Sequence, residues 1–165
     1  MKKVAVVMGS DSDLPVVKRS IDILRQFGVP FEARVISAHR TPDTAAEFGK
    51  SAAAEGFGVI IAAAGKAAHL GGVLAAYTEL PVVGLPIKSS TLDGMDSLLS
   101  MVQMPKGVPV ATVAIDGAEN AGILAVQILA LSDEGLAGAL REYRGKMAAE
   151  VTAKDSELQD NIDKL

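Results

Sequence analysis

The sequence predicts an α/β fold: a single parallel sheet with helices on both faces. Three observations lead there. Short apolar runs alternate with stretches of helical period; proline and glycine mark helix starts and stops; and a polar or glycine-rich segment follows each of the first four runs.

Residues 4–8 are a β-branched run of strand length, ended by Gly9-Ser10-Asp11-Ser12-Asp13, with Pro15 in the first turn of a helix. Val16, Val17, Ile21, Leu24 and Phe27 recur at helical spacing, and Gly28-Val29-Pro30 stops that helix. A second strand is expected over 31–36, a loop over 37–42, and a helix from Asp43 to about Glu55. The third strand, 59–63, feeds a glycine-rich loop, 64–72, and a helix from about Gly72 to Thr78. Residues 81–85 read as the fourth strand with 86–90 as its exit loop, 92–101 as a helix, 110–115 as the fifth strand and 120–131 as a long apolar helix. This order resembles a flavodoxin-like three-layer α/β/α sandwich. Residues 1–165 make a single domain, an α/β core (1–131) followed by a C-terminal helical tail (132–165). Leu136, Leu140, Tyr143, Leu158 and Ile162 of the tail fit either an arm packed on a neighbouring subunit or a solvated end.

Composition narrows the function. At 165 residues the chain is one domain in size, with 49% hydrophobic residues and mean hydropathy +0.30. No apolar run reaches the roughly 18–20 residues of a membrane span, and Lys2-Lys3 leads directly into a strand, so a cytoplasmic protein without membrane contact is expected. A domain this apolar is expected to bury surface against copies of itself. The absence of Trp, 4% aromatic residues and a net charge of -4 argue against a nucleic-acid partner. Zero cysteines exclude disulfides, thiolate metal sites and cysteine nucleophiles, and two histidines in separate segments argue against a metal cluster.

In such a fold, function collects at the carboxyl ends of the strands, where the loops 9–13, 37–42, 64–72 and 86–90 all fall, so one crevice could receive all four. His39 titrates near neutrality beside the permanent cation of Arg40, a pairing suited to proton transfer on an anionic substrate; a polar loop residue is the plainer reading. Arg40 can grip phosphate, and Thr41 can cap the helix that Pro42 opens. The segment from Gly9 to Asp13 fits a phosphate or ribose cradle and fits a simple helix cap equally well. Lys66 and Lys88 are either ligand-facing or solvent-facing loop cations, and Gly65, Gly71 and Gly72 permit close backbone approach to a ligand.

Taken together, Met8-Gly9-Ser10-Asp11-Ser12-Asp13, Ser37-Ala38-His39-Arg40-Thr41-Pro42, Ala64-Gly65-Lys66-Ala67-Ala68-His69-Leu70 and the run from Asp96 to Pro105 resemble the phosphoribosylaminoimidazole carboxylase family of purine biosynthesis, the PurE-type proteins, over residues 3 to about 131. The resemblance implies an octamer whose active sites lie at subunit contacts. It also implies carboxylation of an aminoimidazole ribonucleotide at ring carbon 4 with no cofactor and no metal. By motif match Gly9, Ser10, Asp13, Ser37, Ala38 and Arg40 would bind the ribonucleotide, with Arg40 on its phosphate, and His39 would be the catalytic acid/base. Gly65, Lys66, Ala67, His69 and Leu70 would cover the carboxylate or carbon dioxide, although His69 fits a structural hydrogen bond within its own loop as well.

The family runs two reactions. A mutase branch rearranges a carbamate isomer, and a carboxylase branch, a lyase, takes carbon dioxide directly. Lys66 and Gly71 stand where the mutase pattern has Gly and Pro, and the loop 115–120 is shorter than the usual mutase form by about two residues. These departures, and the aid an ammonium gives a forming carboxylate, point to the carboxylase branch. A non-catalytic module that binds a phosphorylated ligand on the same fold is the alternative from another class.

Overall fold

The computed structural model describes residues 1–162; the last three residues of the tail lie outside them. Its elements run β1 (Lys3–Met8), α1 (Leu14–Gln26), β2 (Phe31–Val35), α2 (Pro42–Ser51), β3 (Phe57–Gly65), α3 (Leu70–Tyr77), β4 (Val82–Ile87), α4 (Met95–Val102), β5 (Ala111–Thr112), α5 (Ala118–Ala130) and α6 (Glu134–Asn161). The five strands form one sheet in the order β2-β1-β3-β4-β5, and every pairing is parallel. The architecture is the flavodoxin-like α/β/α sandwich that the alternation predicts.

Strand periodicity divides the core. Val4, Val6 and Met8 of β1 and Val59, Ile61 and Ala63 of β3 face one side, where they pack with residues of α1, α5 and the start of α6. Ala5 and Val7, with Ile60, Ala62 and Ala64, face the other side against Phe48, Leu74 and Met101 of α2, α3 and α4. β1 and β3 are apolar at successive positions because both faces are covered. On the first face α1 and α5 approach closely: a Cβ at Gly122 would lie 2.9 Å from Ile23 Cβ and 3.0 Å from the Ser20 carbonyl, and the buried Ser20 hydroxyl donates to the Ala118 carbonyl at 2.6 Å.

Several boundaries differ from the sequence reading, each for a physical reason. β4 continues through Pro86 and Ile87, which pair with β3. Beyond Gly84 it has no β5 neighbour, so a proline there meets a ladder on one side alone. β5 shrinks to two residues because the chain turns out of the sheet: the Asp116 N–H donates to Pro86 O and the Gly117 N–H to Ala114 O. Residues 92–94 do not begin a regular helix. Leu92, Asp93 and Gly94 all have positive φ, and α4 starts only at Met95. Thr41 sits at the start of α2 without capping it; its hydroxyl donates to Ser37 O and accepts from Ser37 N–H, both at 3.0 Å, closing the 37–42 loop instead. The tail begins as part of its own core, with Leu136 and Leu140 buried and Tyr143 edge-on to Phe27 at 5.4 Å, while Leu158 and Ile162 are exposed.

The close α1–α5 contact generates a paired test. Gly122→Ala should destabilise the protein by about 1–3 kcal/mol in urea unfolding through overpacking. Gly145→Ala, in α6 with nothing within 4 Å of the added Cβ, should stabilise it by about 0.5–1 kcal/mol.

Candidate active site

The strand order sets where a site can form. From β1 the chain leaves toward β2 on one side, and from β3 toward β4 on the other, so a crevice opens between the carboxyl ends of β1 and β3. A cavity of about 640 Å³ lies there, within the roughly 300–1,000 Å³ usual for small-molecule sites. Its walls are the loops after β1, β2, β3 and β4. The twelve residues given a catalytic or substrate role from the sequence, Gly9, Ser10, Asp13, Ser37, Ala38, His39, Arg40, Gly65, Lys66, Ala67, His69 and Leu70, line it, whereas Gly71 and Gly72, read as permitting close backbone approach to a ligand, do not, because they lie in the first turn of α3. Ser12, Ala64, Ile87, Lys88, Ser89 and Ser90 line it as well. The sequence leaves Lys88 open between a ligand-facing and a solvent-facing cation and marks Ser89 only as a member of a carboxyl-end loop.

The β1 exit is a 3-10 turn over Asp11–Asp13 capped by Ser10, whose Oγ accepts from Ser12 N–H at 3.3 Å. Asp13 is buried behind the turn. Burial, the largest influence, pushes its carboxyl above the usual aspartate value; hydrogen bonding from the Ser10 backbone and the Ser12 hydroxyl offsets this in part, and the neighbouring Asp11 charge adds to the rise.

The loop after β2 folds on itself and then onto the β1 exit. Arg40 N–H donates to Ser37 Oγ at 3.1 Å, and the guanidinium Nη2 donates to the Gly9 carbonyl at 3.0 Å. This leaves Arg40 anchored on the cavity wall with donors to spare. His39 Nε2 lies 2.9 Å from His69 Nδ1, with the rings nearly perpendicular at 81°. His69 therefore makes its side-chain hydrogen bond across the cavity wall to His39, and the loop-internal alternative is replaced by a contact between two loops. When both rings are neutral they share one proton, and whichever ring donates it, one of the outward nitrogens, His39 Nδ1 or His69 Nε2, carries a proton and the other is free to accept one.

Lys66 has φ of +57°, in the left-handed region where glycine is at ease and another residue is strained by about 1–2 kcal/mol. Its ammonium has no ion-pair partner among the described residues. Lys88 Nζ instead pairs with Asp93 at 3.1 Å, and its backbone N–H donates to Asp116 Oδ1 at 2.9 Å. Gly71 lies in the first turn of α3, where an added Cβ would meet only ordinary contacts, Val110 at 3.5 Å and Ala62 at 3.8 Å. Among the described residues no group of three or more His, Cys, Asp or Glu is placed to hold a metal ion, and no helix is long and apolar enough to cross a membrane.

Comparison with known proteins gives the chain its relatives. Residues 3–150 match the family model for AIR carboxylase, which takes in the first half of α6 and so extends past residue 131. The chain is 54% identical to the N5-carboxyaminoimidazole ribonucleotide mutase of Thermotoga maritima, covering 96% of this chain and 93% of that one. It is 51% identical to the chloroplastic phosphoribosylaminoimidazole carboxylase of Vigna aconitifolia, over 93% of this chain and 28% of the plant protein. The crystal structure of Treponema denticola PurE superposes with a TM-score of 0.86 at 28% identity, covering 94% of this chain and 97% of that one.

The raised folded-state pKa of Asp13 gives a pH test. A carboxyl whose pKa rises on folding contributes stability that is full below its unfolded value, near 3.8, and lost as pH rises through the folded value. Asp13→Asn should therefore have a higher Tm than the wild-type chain at pH 7, with the gap closing as pH falls below about 3.8. A wild-type chain that gains stability over the variant with rising pH would contradict the assignment.

Proposed function

The chain belongs to the AIR carboxylase family, and on that premise we propose that this PurE-type enzyme of purine biosynthesis is an N5-carboxyaminoimidazole ribonucleotide mutase. It would convert the carbamate isomer into 4-carboxy-5-aminoimidazole ribonucleotide. This replaces the carboxylase-branch expectation: the relative at 54% identity over nearly the full chain is named a mutase, and so are further relatives at 52–56%. The residues behind that expectation have conformational explanations. Position 66 is left-handed, and a turn at Asp116, also left-handed, ties residues 115–117 to the end of β4. Gly71 stands in a helical first turn that proline also tolerates.

The observation that carries the reading is the His39–His69 hydrogen bond. A mutase moves a carboxyl group from the exocyclic nitrogen to ring carbon 4 and a proton the opposite way. In the first step the carbamate C–N bond breaks, its electron pair stays on nitrogen, carbon dioxide is released and nitrogen takes a proton. In the second the enamine-like carbon 4 attacks that carbon dioxide and then loses its own proton. The histidine pair presents one donor and one acceptor at once, so a proton delivered at one step is recovered at the other and the pair ends as it began. His39 would be the acid/base, and Lys66 with the backbone from Gly65 to Ala67 would hold the carboxyl group between the two steps. Ser10, Asp13 and Arg40 would bind the ribonucleotide, Arg40 at its phosphate.

Direct carboxylation by carbon dioxide is the second reading, favoured by the ammonium of Lys66, which has no ion-pair partner among the described residues. A homo-oligomer, with an octamer as the family form, fits the exposed apolar residues Met95, Leu99 and Val102 along α4 and Val35 on the edge strand β2. Cytoplasmic placement is proposed with the pathway.

Steady-state rates with the carbamate isomer, compared with aminoimidazole ribonucleotide plus bicarbonate, test the proposal. The carbamate should be strongly preferred, and His39→Asn should lower its turnover by about 10² to 10⁴-fold while calorimetric binding of the product persists. Preference for free carbon dioxide would establish the second reading; near wild-type turnover by the variant would remove His39 from the chemistry.

A further inference from the structure

The run from Asp96 to Pro105 carries part of the resemblance, yet none of its residues lines the cavity. It lies behind the fourth wall, residues 87–90, which is formed by the end of β4 and its exit loop. Ser89 and Ser90 lie outside any regular element, and their backbone N–H groups have no acceptor among the described residues. What holds this wall must come from outside it.

Three bonds do so. Ser97, fully buried in α4, shares its hydroxyl proton between the carbonyls of Ile87 at 2.9 Å and Gly94 at 2.8 Å. Asp116 Oδ1 accepts from Lys88 N–H at 2.9 Å. Ser89 Oγ lies 3.0 Å from both carboxylate oxygens of Asp96 and 2.5 Å from the Thr91 carbonyl, acceptors that share its one proton, and it accepts from Thr91 N–H at 3.1 Å. Asp96 is itself anchored, since Ser100 Oγ donates to its carbonyl at 2.6 Å. The left-handed run of Leu92, Asp93 and Gly94 turns the chain so that Asp96, in the first turn of α4, comes back against Ser89. A cavity wall on the strand next to the one that leads to His69 is thus tied to α4 through one carboxylate and one hydroxyl.

We infer that Asp96 is a positioning residue: its carboxylate fixes Ser89 and thereby sets the residue 87–90 wall, with its two unengaged amides, against the substrate. This rests on the proposed use of the cavity for the ribonucleotide. A charged acceptor suits the role because a hydroxyl donating to a carboxylate makes a stronger bond than one donating to a neutral oxygen.

Hydrogen exchange of residues 87–91, read at the bonded amides of Lys88 and Thr91, together with kcat and KM for the carbamate isomer, tests it in Asp96→Ala, Asp96→Asn, Ser89→Ala and the Asp96→Ala/Ser89→Ala double variant. Asp96→Ala and Ser89→Ala should each speed exchange in that segment alone and lower kcat/KM by about tenfold or more, the scale expected when a positioning element shifts. The double variant should be no worse than either single one, and Asp96→Asn, which keeps an acceptor, should recover most of the loss. Ser89→Ala leaves α4 untouched, so it reads the bond even if Asp96→Ala fails to fold. Unchanged exchange at 87–91, additive losses, or an Asp96→Asn as defective as the alanine would overturn the assignment. A wild-type chain inactive with both carboxyl sources would remove the functional reading, and the exchange comparison would then decide the role of Asp96 by itself.

Discussion

The parallel pairing of β1 with β3 is the constraint on which the site depends. Its register sets Met8 beside Ala63, and one step further the Gly9 N–H still donates to the Ala63 carbonyl at 3.0 Å. β2 joins β1 on its other side, with Val35 beside Met8. The loops leaving β2 and β3 therefore flank the β1 exit, and His39 and His69, thirty positions apart in sequence, meet at 2.9 Å. A one-residue slip of β3 would exchange the residues on its two core faces, so burial of both faces protects the register and with it the histidine contact.

Much of this was legible because strand, loop and helix alternate with clear periods along the chain. The strand ends identified the functional edge of the sheet before any motif was considered, and the residues given a catalytic or substrate role from three polar loops line one cavity, while Gly71 and Gly72 of the same segment lie in α3 away from it. What escaped was set by partners distant in sequence. Nothing around His69 announces His39 as its hydrogen-bond partner. Thr41 has the residue type and position of a helix cap, yet Ser37 captures its hydroxyl. The run 92–101 has helical composition, but its first residues take left-handed backbone, with Lys88 paired to Asp93 and Ser89 to Asp96. The length of β5 was decided by Asp116 turning the chain back to Pro86.

The departures at Lys66, Gly71 and residues 115–120 can each be given two causes. Read as chemistry, they favour a carboxyl donor. In the fold, one occupies a glycine-type backbone position, one lies in a helical first turn, and one braces a strand end. Lys66 lines the cavity with no ion-pair partner for its ammonium among the described residues, and holding a carboxyl group in transit would use that charge as well as capturing free carbon dioxide would. The donor is therefore better argued from the proton balance of the histidine pair and from relatives that match nearly the whole chain.

The proposed mutase reaction requires the carboxyl carbon to stay in the cavity between leaving nitrogen and joining carbon 4. The most direct measurement is a short conversion of unlabelled carbamate isomer in ¹³C-bicarbonate with carbonic anhydrase present, followed by mass analysis of the product. An isomerisation confined to this cavity gives a product essentially free of label. Label in the product at the enrichment of the bulk pool would show that the carboxyl group comes from solvent, and would contradict the account.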